Sequence, residues 1–296
     1  MTGVMRLAVH QFAPRFGDIE SNARTIAAAA REAAADLLLT PELSLSAYDI
    51  RDRAPALAVR VRRQREARRR TLVQAEPGAQ AAIEALADAG DVIVGAPELA
   101  RDGLLYNAAF HLRRGCLVHR HRKVYLPTYG MFDEGRYFAG GRRVRLYSPR
   151  PGWHSGILIC EDFWHPGLAY VHAAAGADLL LVPAAAPGRG LDPQRSGFVS
   201  VETWERIART TAQVYGVYVA LANRTGVEDG VTFAGESLIV GPTGEVLARA
   251  PWQDDALLCV ELDRREIERA RRPYAHRRDD ELALVAQELA RLQARP

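Results

Sequence analysis

The sequence predicts an α/β protein whose sheets are not purely parallel. Three observations carry that reading. Short apolar, β-branched runs recur along the whole chain, helical segments separate most of them, and glycine-containing hairpin signals interrupt the alternation. With 296 residues and 48% hydrophobic content, the chain has ample apolar surface for a core. No internal repeat or low-complexity linker divides the pattern. The expected organisation is one domain over residues 1–262 and a helical extension over 263–296.

Leu7-Ala8-Val9, continuing into His10-Gln11-Phe12, reads as a first buried strand, and Gly17-Asp18 ends the loop after it. The alanine-rich stretch from Ser21 to Ala35 has strong helix propensity and leads into the apolar run Leu37-Leu38-Leu39. Pro41 then ends the ladder, which leaves Glu42 at a strand terminus. Residues 51–70 are rich in arginine, with Arg60, Arg62, Arg63, Arg65, Arg68, Arg69 and Arg70 close together and Ala56, Leu57 and Val61 between the charges. Arginine is a good helix former, so this segment is expected to be a solvated helical face over a pocket rim. A helix near Ala81–Ala89 and a strand at Val92–Gly95 follow.

Leu104–Leu112 and Cys116–Lys123 form two extended arms joined by Arg113-Arg114-Gly115, a hairpin signal, and Lys123 falls at the end of the second arm. The aromatic, turn-rich stretch Val124–Glu134 suits an ordered loop lining a cleft. Ile157-Leu158-Ile159 is a buried strand that delivers Cys160 to the abrupt polarity of Glu161 and Asp162. A helix is expected at 166–176, strands at Leu179–Val182 and Val217–Leu221, and a helix at Val201–Tyr215 between those two strands. A hairpin around Gly241-Pro242-Thr243-Gly244 and a last strand at Leu257–Val260 complete the sheets. Leu282, Val285, Leu289 and Leu292 then recur at helical spacing, a stripe that should dock on the domain or on a partner subunit.

Composition excludes several classes. Three scattered cysteines, with no Cys-x-x-Cys pair, supply neither a disulfide framework nor a zinc or redox motif, and a reducing compartment fits them best. No apolar run reaches the length of a membrane span, and Met1–Arg6 turns directly into a strand, so the expectation is a cytoplasmic protein without a signal peptide. A net charge of +3 is too mild to indicate a nucleic-acid partner. Neither Gly-x-Gly-x-x-Gly nor Gly-x-x-x-x-Gly-Lys-Ser/Thr occurs, and the eight histidines show no metal-ligand spacing. No cofactor is expected.

Three polar residues at the ends of apolar runs remain: Glu42, Lys123 and Cys160. Taken singly, the cysteine reads as a core hydrophobe and each charge as half of an ion pair. Together they suit acyl transfer. A carboxylate can take the thiol proton, the thiolate can attack a carbonyl, and an ammonium can lower the thiol pKa and stabilise the oxyanion.

These residues sit in three stretches: Pro41-Glu42-Leu43-Ser44-Leu45-Ser46-Ala47-Tyr48, His121-Arg122-Lys123-Val124-Tyr125-Leu126-Pro127 and Ile159-Cys160-Glu161-Asp162-Phe163-Trp164. In order and spacing they resemble the three catalytic motifs of the carbon-nitrogen hydrolase, or nitrilase, superfamily. The likeness runs from Leu7 to about Asp263. Leu126–Phe138 and Cys160-Glu161-Asp162 are most similar to the glutaminase domain of glutamine-dependent NAD synthetase. No Ser-Gly-Gly-x-Asp-Ser stretch is present, and the chain stops where the synthetase domain would begin, so NAD synthesis is not implied.

The resemblance implies a four-layer αββα sandwich, with Glu42 as general base, Lys123 as oxyanion stabiliser and Cys160 as nucleophile. It also implies that Glu134 holds the lysine, that the Glu161 backbone amide completes the oxyanion hole, and that subunits pair into dimers. Nitrile-cleaving members usually carry Trp where this chain has Glu161, which favours amides. The expected activity is an amidase acting on a small non-peptide amide through a thioester. Tyr48, Tyr129, Phe132, Trp164 and the loop Pro183–Phe198 shape the pocket in this reading, and Arg189 and Arg195 are candidates for a substrate carboxylate. A stand-alone glutaminase feeding a separate synthetase is the nearest alternative. A non-catalytic scaffold or RNA-binding protein using the basic segment is the alternative from another class.

Overall fold

The computed structural model describes residues 3–63, 70–74, 84, 86–192, 197–274 and 276–294. It opens with the expected strand, helix, strand: β1 (Val4–Gln11), α1 (Ile19–Ala33) and β2 (Leu37–Leu39). Asp18 caps α1 by accepting the Ser21 N–H at 2.9 Å, which satisfies one of the donors a helix start leaves open. A hairpin of β3 (Val59–Arg63) and β4 (Arg70–Gln74) follows, then the meander β5 (Asp91–Leu99), β6 (Leu105–Arg113) and β7 (Cys116–Arg122) and a one-turn helix α2 (Glu134–Tyr137).

The second half carries β8 (Ser155–Ile157), the short helix α3 (Glu161–Trp164), α4 (Pro166–Ala174) and β9 (Leu179–Ala184). A small ribbon, β10 (Leu191–Asp192) with β11 (Gly197–Phe198), precedes α5 (Val199–Tyr215) and β12 (Tyr218–Asn223). After the ribbon β13 (Val227–Glu228) and β14 (Val231–Thr232) come β15 (Leu238–Val240), β16 (Val246–Arg249) and β17 (Ala256–Asp263), then α6 (Arg264–Arg271) and α7 (Leu282–Gln293).

Two mixed sheets result. In the first, β1, β2 and β5 run parallel, flanked by antiparallel β17 on one side and by antiparallel β6 and β7 on the other. In the second, β8, β9 and β12 are parallel, with β15 and β16 added antiparallel. Side chains alternate across a strand, so the first sheet has two different faces. Leu7, Val9, Leu37, Leu39 and Ile93 share one core with Ile157, Leu179 and Leu181 of the second sheet. Ala8, Leu38, Val92 and Val94 pack instead with Ala23, Ile26, Ala27 and Ala30 of α1. α5 covers β12 and β15 through Trp204, Ala208 and Ala212. The layers are helix, sheet, sheet, helix, the αββα sandwich expected above.

One expectation fails here. The described part of the arginine-rich run is strand, not helix: Val59, Arg60, Val61 and Arg62 lie on β3, paired with Gln74 to Thr71 of β4. The local alternation of valine and arginine is the two-residue period of a half-buried strand, with Val59 buried and Arg60 and Arg62 exposed. That period outweighs the helix propensity of arginine. Arg65, Arg68 and Arg69 lie outside the described residues, as do residues 81–83 and 85 of the helix expected near Ala89; Leu86–Ala89 is a 3₁₀ turn. The apolar stripe of α7 does not dock on the domain: Leu282, Val285, Leu289 and Leu292 are 37–57% exposed.

Packing also buries histidines in neutral form. Burial lowers the pKa of His10 and His172 from 6.5 to about 4, and that of His119 to about 3, where neighbouring His121 and His111 add to the effect. The unfolded chain therefore binds more protons than the folded one between pH 6.5 and 4, and stability falls as pH drops through that window. The raised carboxyl of Glu134 opposes this trend, so urea midpoints across this range should show net proton uptake on unfolding, which His10→Gln should reduce by about one proton. A flat profile above pH 4 would contradict the burial of these rings.

Candidate active site

Glu42 lies just past β2, where the chain is pinned to both sheets. Leu45 donates its N–H to the Gly95 carbonyl at 2.9 Å, Gly95 donates back to Ser44 Oγ at 2.9 Å, and Glu42 donates to the Ala184 carbonyl at 3.4 Å. The approach to β5 is so close that a Cβ at Gly95 would stand 2.3 Å from the Leu43 nitrogen. Only glycine fits there.

Lys123 follows β7 directly and is fully buried. Its ammonium donates to Glu42 Oε1 and to Glu134 Oε1, each at 2.7 Å. Asn107 Nδ2 also donates to Glu42 Oε1 at 2.7 Å, so that oxygen is occupied, while the buried Glu42 Oε2 has no partner among the described residues. Tyr48 donates its hydroxyl to Glu134 Oε1. Burial works against the charge on Lys123, but Glu134, Glu42 and Cys160 outweigh it and hold the ammonium well above its ordinary pKa. Burial, with the charge of Glu42, pushes the Glu134 carboxyl up to about 7 against the pull of Lys123.

Cys160 ends the continuation of β8. Leu158 and Cys160 still donate to β9, at the Leu181 and Pro183 carbonyls (3.0 and 2.9 Å), and then the backbone turns sharply, with φ +48° and ψ −101° at Cys160. A positive φ is unusual for a side chain other than glycine, and here it places the thiol at the strand-to-helix corner. Burial and the Glu42 charge raise the thiol pKa well above its ordinary value, with Lys123 and a hydrogen bond from the Ala185 backbone opposing. The resting sulfur is therefore protonated and lies within electrostatic reach of both charged partners. Asp162 and Phe163 spend their N–H groups on the Ile159 and Cys160 carbonyls, while the Glu161 N–H has no acceptor among the described residues.

The remaining candidates divide. Tyr48 is half-buried beside Glu134, with Phe132 and Phe233 edge-on to its ring at 6.1 Å. Tyr129 is half exposed, donates to Glu161 Oε2 at 2.8 Å and meets Phe132 edge-on at 5.6 Å. The Arg189 guanidinium stands 5.9 and 5.8 Å from the Tyr129 and Phe132 rings. Trp164 packs edge-on against Trp204 of α5, apart from that aromatic pair. Arg195 lies outside the described residues.

Sequence reasoning missed two supports. Asn107, a polar residue inside an apolar strand, was the readable signal for one. The other is Asp162, fully buried, whose Oδ1 accepts the Val124 and Tyr125 N–H groups at 2.9 Å each and whose Oδ2 accepts the Ile159 N–H at 3.1 Å and meets His121 Nε2 at 2.9 Å. One carboxylate thus ties the chain after Lys123 to the strand before Cys160. His119 stacks on Tyr147 at 4.1 Å. Among the described residues no group of three His, Cys, Asp or Glu side chains is placed to hold a metal ion.

A buried carboxylate, ammonium and thiol thus stand together at the strand ends of an αββα sandwich. The carbon-nitrogen hydrolase family model matches residues 6–272. The chain belongs to that family, whose members hydrolyse carbon–nitrogen bonds. It is 34% identical over 265 residues to a Pseudomonas protegens protein described as a hydrolase in the region 5′ of pqqF, covering 88% of this chain and 83% of that one. It is 30% identical to the glutamine-dependent NAD(+) synthetase of Acinetobacter baylyi, covering 87% of this chain but spanning only 44% of the relative. An amidase from Nesterenkonia sp. AN1, solved with acrylamide, superposes with a TM-score of 0.74 at 26% identity, covering 97% of each chain. No helix among the described residues is long and apolar enough to cross a membrane.

The Asp162 hub gives a direct test. Asp162→Ala leaves three backbone donors and His121 without their acceptor, so it should cost about 3 kcal/mol in urea unfolding. An unchanged midpoint would mean that these hydrogen bonds do not hold the corner.

Proposed function

We propose that the protein is an amidase that cleaves a small non-peptide amide through a thioester on Cys160. The observation that supports this best is the division of labour within the Glu42 carboxylate: one oxygen is committed to Lys123 and Asn107, and the other is buried and free to take a proton. In this reading Glu42 Oε2 removes the thiol proton as sulfur attacks the carbonyl carbon. The oxyanion is met by the Lys123 ammonium and the Glu161 N–H. Protonated Glu42 then gives its proton to the departing nitrogen, and ammonia or an amine leaves. Water, deprotonated by Glu42, attacks the thioester and restores the thiol. Glu134, held by Tyr48, keeps Lys123 in place throughout.

One observation favours a glutaminase as the second reading. The Glu161 carboxylate and the Arg189 guanidinium flank the same Tyr129 ring, and opposite charges at one mouth suit the ammonium and carboxylate of an amino acid whose side-chain amide reaches Cys160. A panel of propionamide, acrylamide and glutamine, read as released ammonia, separates the two. Cys160→Ala should abolish turnover of every substrate, while Cys116→Ala and Cys259→Ala should retain it. Intact mass spectrometry of a slow variant should show an acyl adduct on Cys160. Retained activity in Cys160→Ala would end the mechanism, and glutamine turnover that Arg189→Ala leaves unchanged would end the second reading.

We also propose that the protein is a homodimer or larger, with α7 in the contact. Its exposed leucines have no cover within the described chain, and a stripe of that kind is suited to burial against a second subunit. Arg271, ahead of α7, turns inward and donates to the Ala177 and Tyr215 carbonyls. Light scattering should show a dimer or larger that dissociates when the chain is ended at Arg272. A monomeric full-length protein would exclude the assembly.

A further inference from the structure

Away from Cys160, a groove of about 360 Å³ lies beside the last residues of β7, from His119 to Arg122. Five of the residues around it are arginines and none is acidic. Two of them, Arg120 and Arg122, come from the strand itself and share the buried carboxylate of Glu98, with Arg122 also lying 3.7 Å above the Tyr106 ring. The other three, Arg142, Arg143 and Arg145, come from a strap that crosses the end of the strand. The strap is fastened by the Gly141 N–H, which donates to the Lys123 carbonyl at 2.7 Å, and a Cβ at Gly141 would stand 2.2 Å from the Arg122 carbonyl. It therefore lies flat on β7 and brings its arginines over the pair beneath. All three are exposed, and none forms an ion pair with a carboxylate among the described residues.

Among the described residues, Arg142, Arg143 and Arg145 have no carboxylate partner, so they add three exposed positive charges beside Arg120 and Arg122. Like charges held this close repel unless an anion lies between them. A single carboxylate would satisfy one guanidinium fork and leave the others facing one another. A chain of phosphates offers several anionic oxygens in a row, each matched to a fork. The volume is also in the range of about 300–1,000 Å³ usual for small-molecule sites.

We propose that this groove binds an oligophosphate group, either a free polyphosphate or the phosphate chain of a nucleotide, clamped by Arg142, Arg143 and Arg145 above Arg120 and Arg122. The site is separate from the Cys160 chemistry and does not depend on the amidase reading.

Calorimetric titration of the full-length protein at constant ionic strength tests it, using tripolyphosphate, ATP, AMP and sulfate. Tripolyphosphate and ATP should bind at one site, with AMP and sulfate weaker by about tenfold or more. Equal affinities for tripolyphosphate and ATP identify the phosphate chain as the whole ligand; tighter binding of ATP identifies a nucleotide. The charge reversal R142E/R143E/R145E should abolish binding, while Arg206→Glu on the exposed face of α5 should leave it intact. Should the triple variant lose its thermal transition, Arg143→Ala alone should still weaken binding by about tenfold. Affinity for tripolyphosphate no better than for sulfate would overturn the proposal. So would binding that survives the charge reversal, or a preference for a single-stranded RNA oligomer over ATP.

Discussion

The Lys123 ammonium, out of reach of solvent and held between two carboxylates, is the interaction on which the rest of the site depends. Burying an ammonium alone would cost several kcal/mol, and it stays charged only because Glu42 and Glu134 are both 2.7 Å away. Those partners come from unrelated parts of the chain, one after β2 and one at the start of α2. Bringing them to the end of β7 requires the first sheet to be assembled in register. The electrostatics of the site and the order of strands are thus one constraint seen at two scales. Removing one member would leave an uncompensated charge in the interior, which is far more harmful than losing an exposed pair.

The second sheet contributes the thiol, and the two sheets must meet with little tolerance. Asp162 supplies the connection by accepting backbone hydrogen bonds on both sides of the junction. That arrangement also helps explain how the unfavourable backbone of Cys160 persists. A positive φ at a non-glycine residue is tolerated when surrounding hydrogen bonds over-determine it, and here Cys160 donates its own N–H to the Pro183 carbonyl while Ile159 and Asp162 are bonded to each other across the corner.

The strand that leads into Lys123 also lines the arginine groove with its last residues. His121 reaches Asp162 from β7, while Arg120 and Arg122 turn to Glu98. Alternation along one strand therefore separates a buried polar network from a solvent-facing cationic surface. At the far end of the chain, α7 presents apolar side chains that the described domain leaves uncovered. The sandwich is closed around its own core but open in chemistry at these two places.

The sequence by itself determined the alternation of strands and helices, the hairpin at Gly115, and the placing of Glu42, Lys123 and Cys160 at strand ends, because each is written in a window of a few residues. Periodicity also held the β3 strand in plain view as Val59-Arg60-Val61-Arg62, although helix propensity pointed the other way. Only the tertiary structure decided which ends meet. The bond from Lys123 to Glu42 spans 81 residues, that from Asn107 to Glu42 spans 65, and those from Asp162 to the chain after Lys123 span 38 and 37. Likewise Arg142, Arg143 and Arg145 read locally as surface charge, and they form a groove only because Gly141 lays their strap across β7. Local spacing fixes which way a side chain points along its own element; partners across the fold depend on sheet order and register, which the core sets collectively.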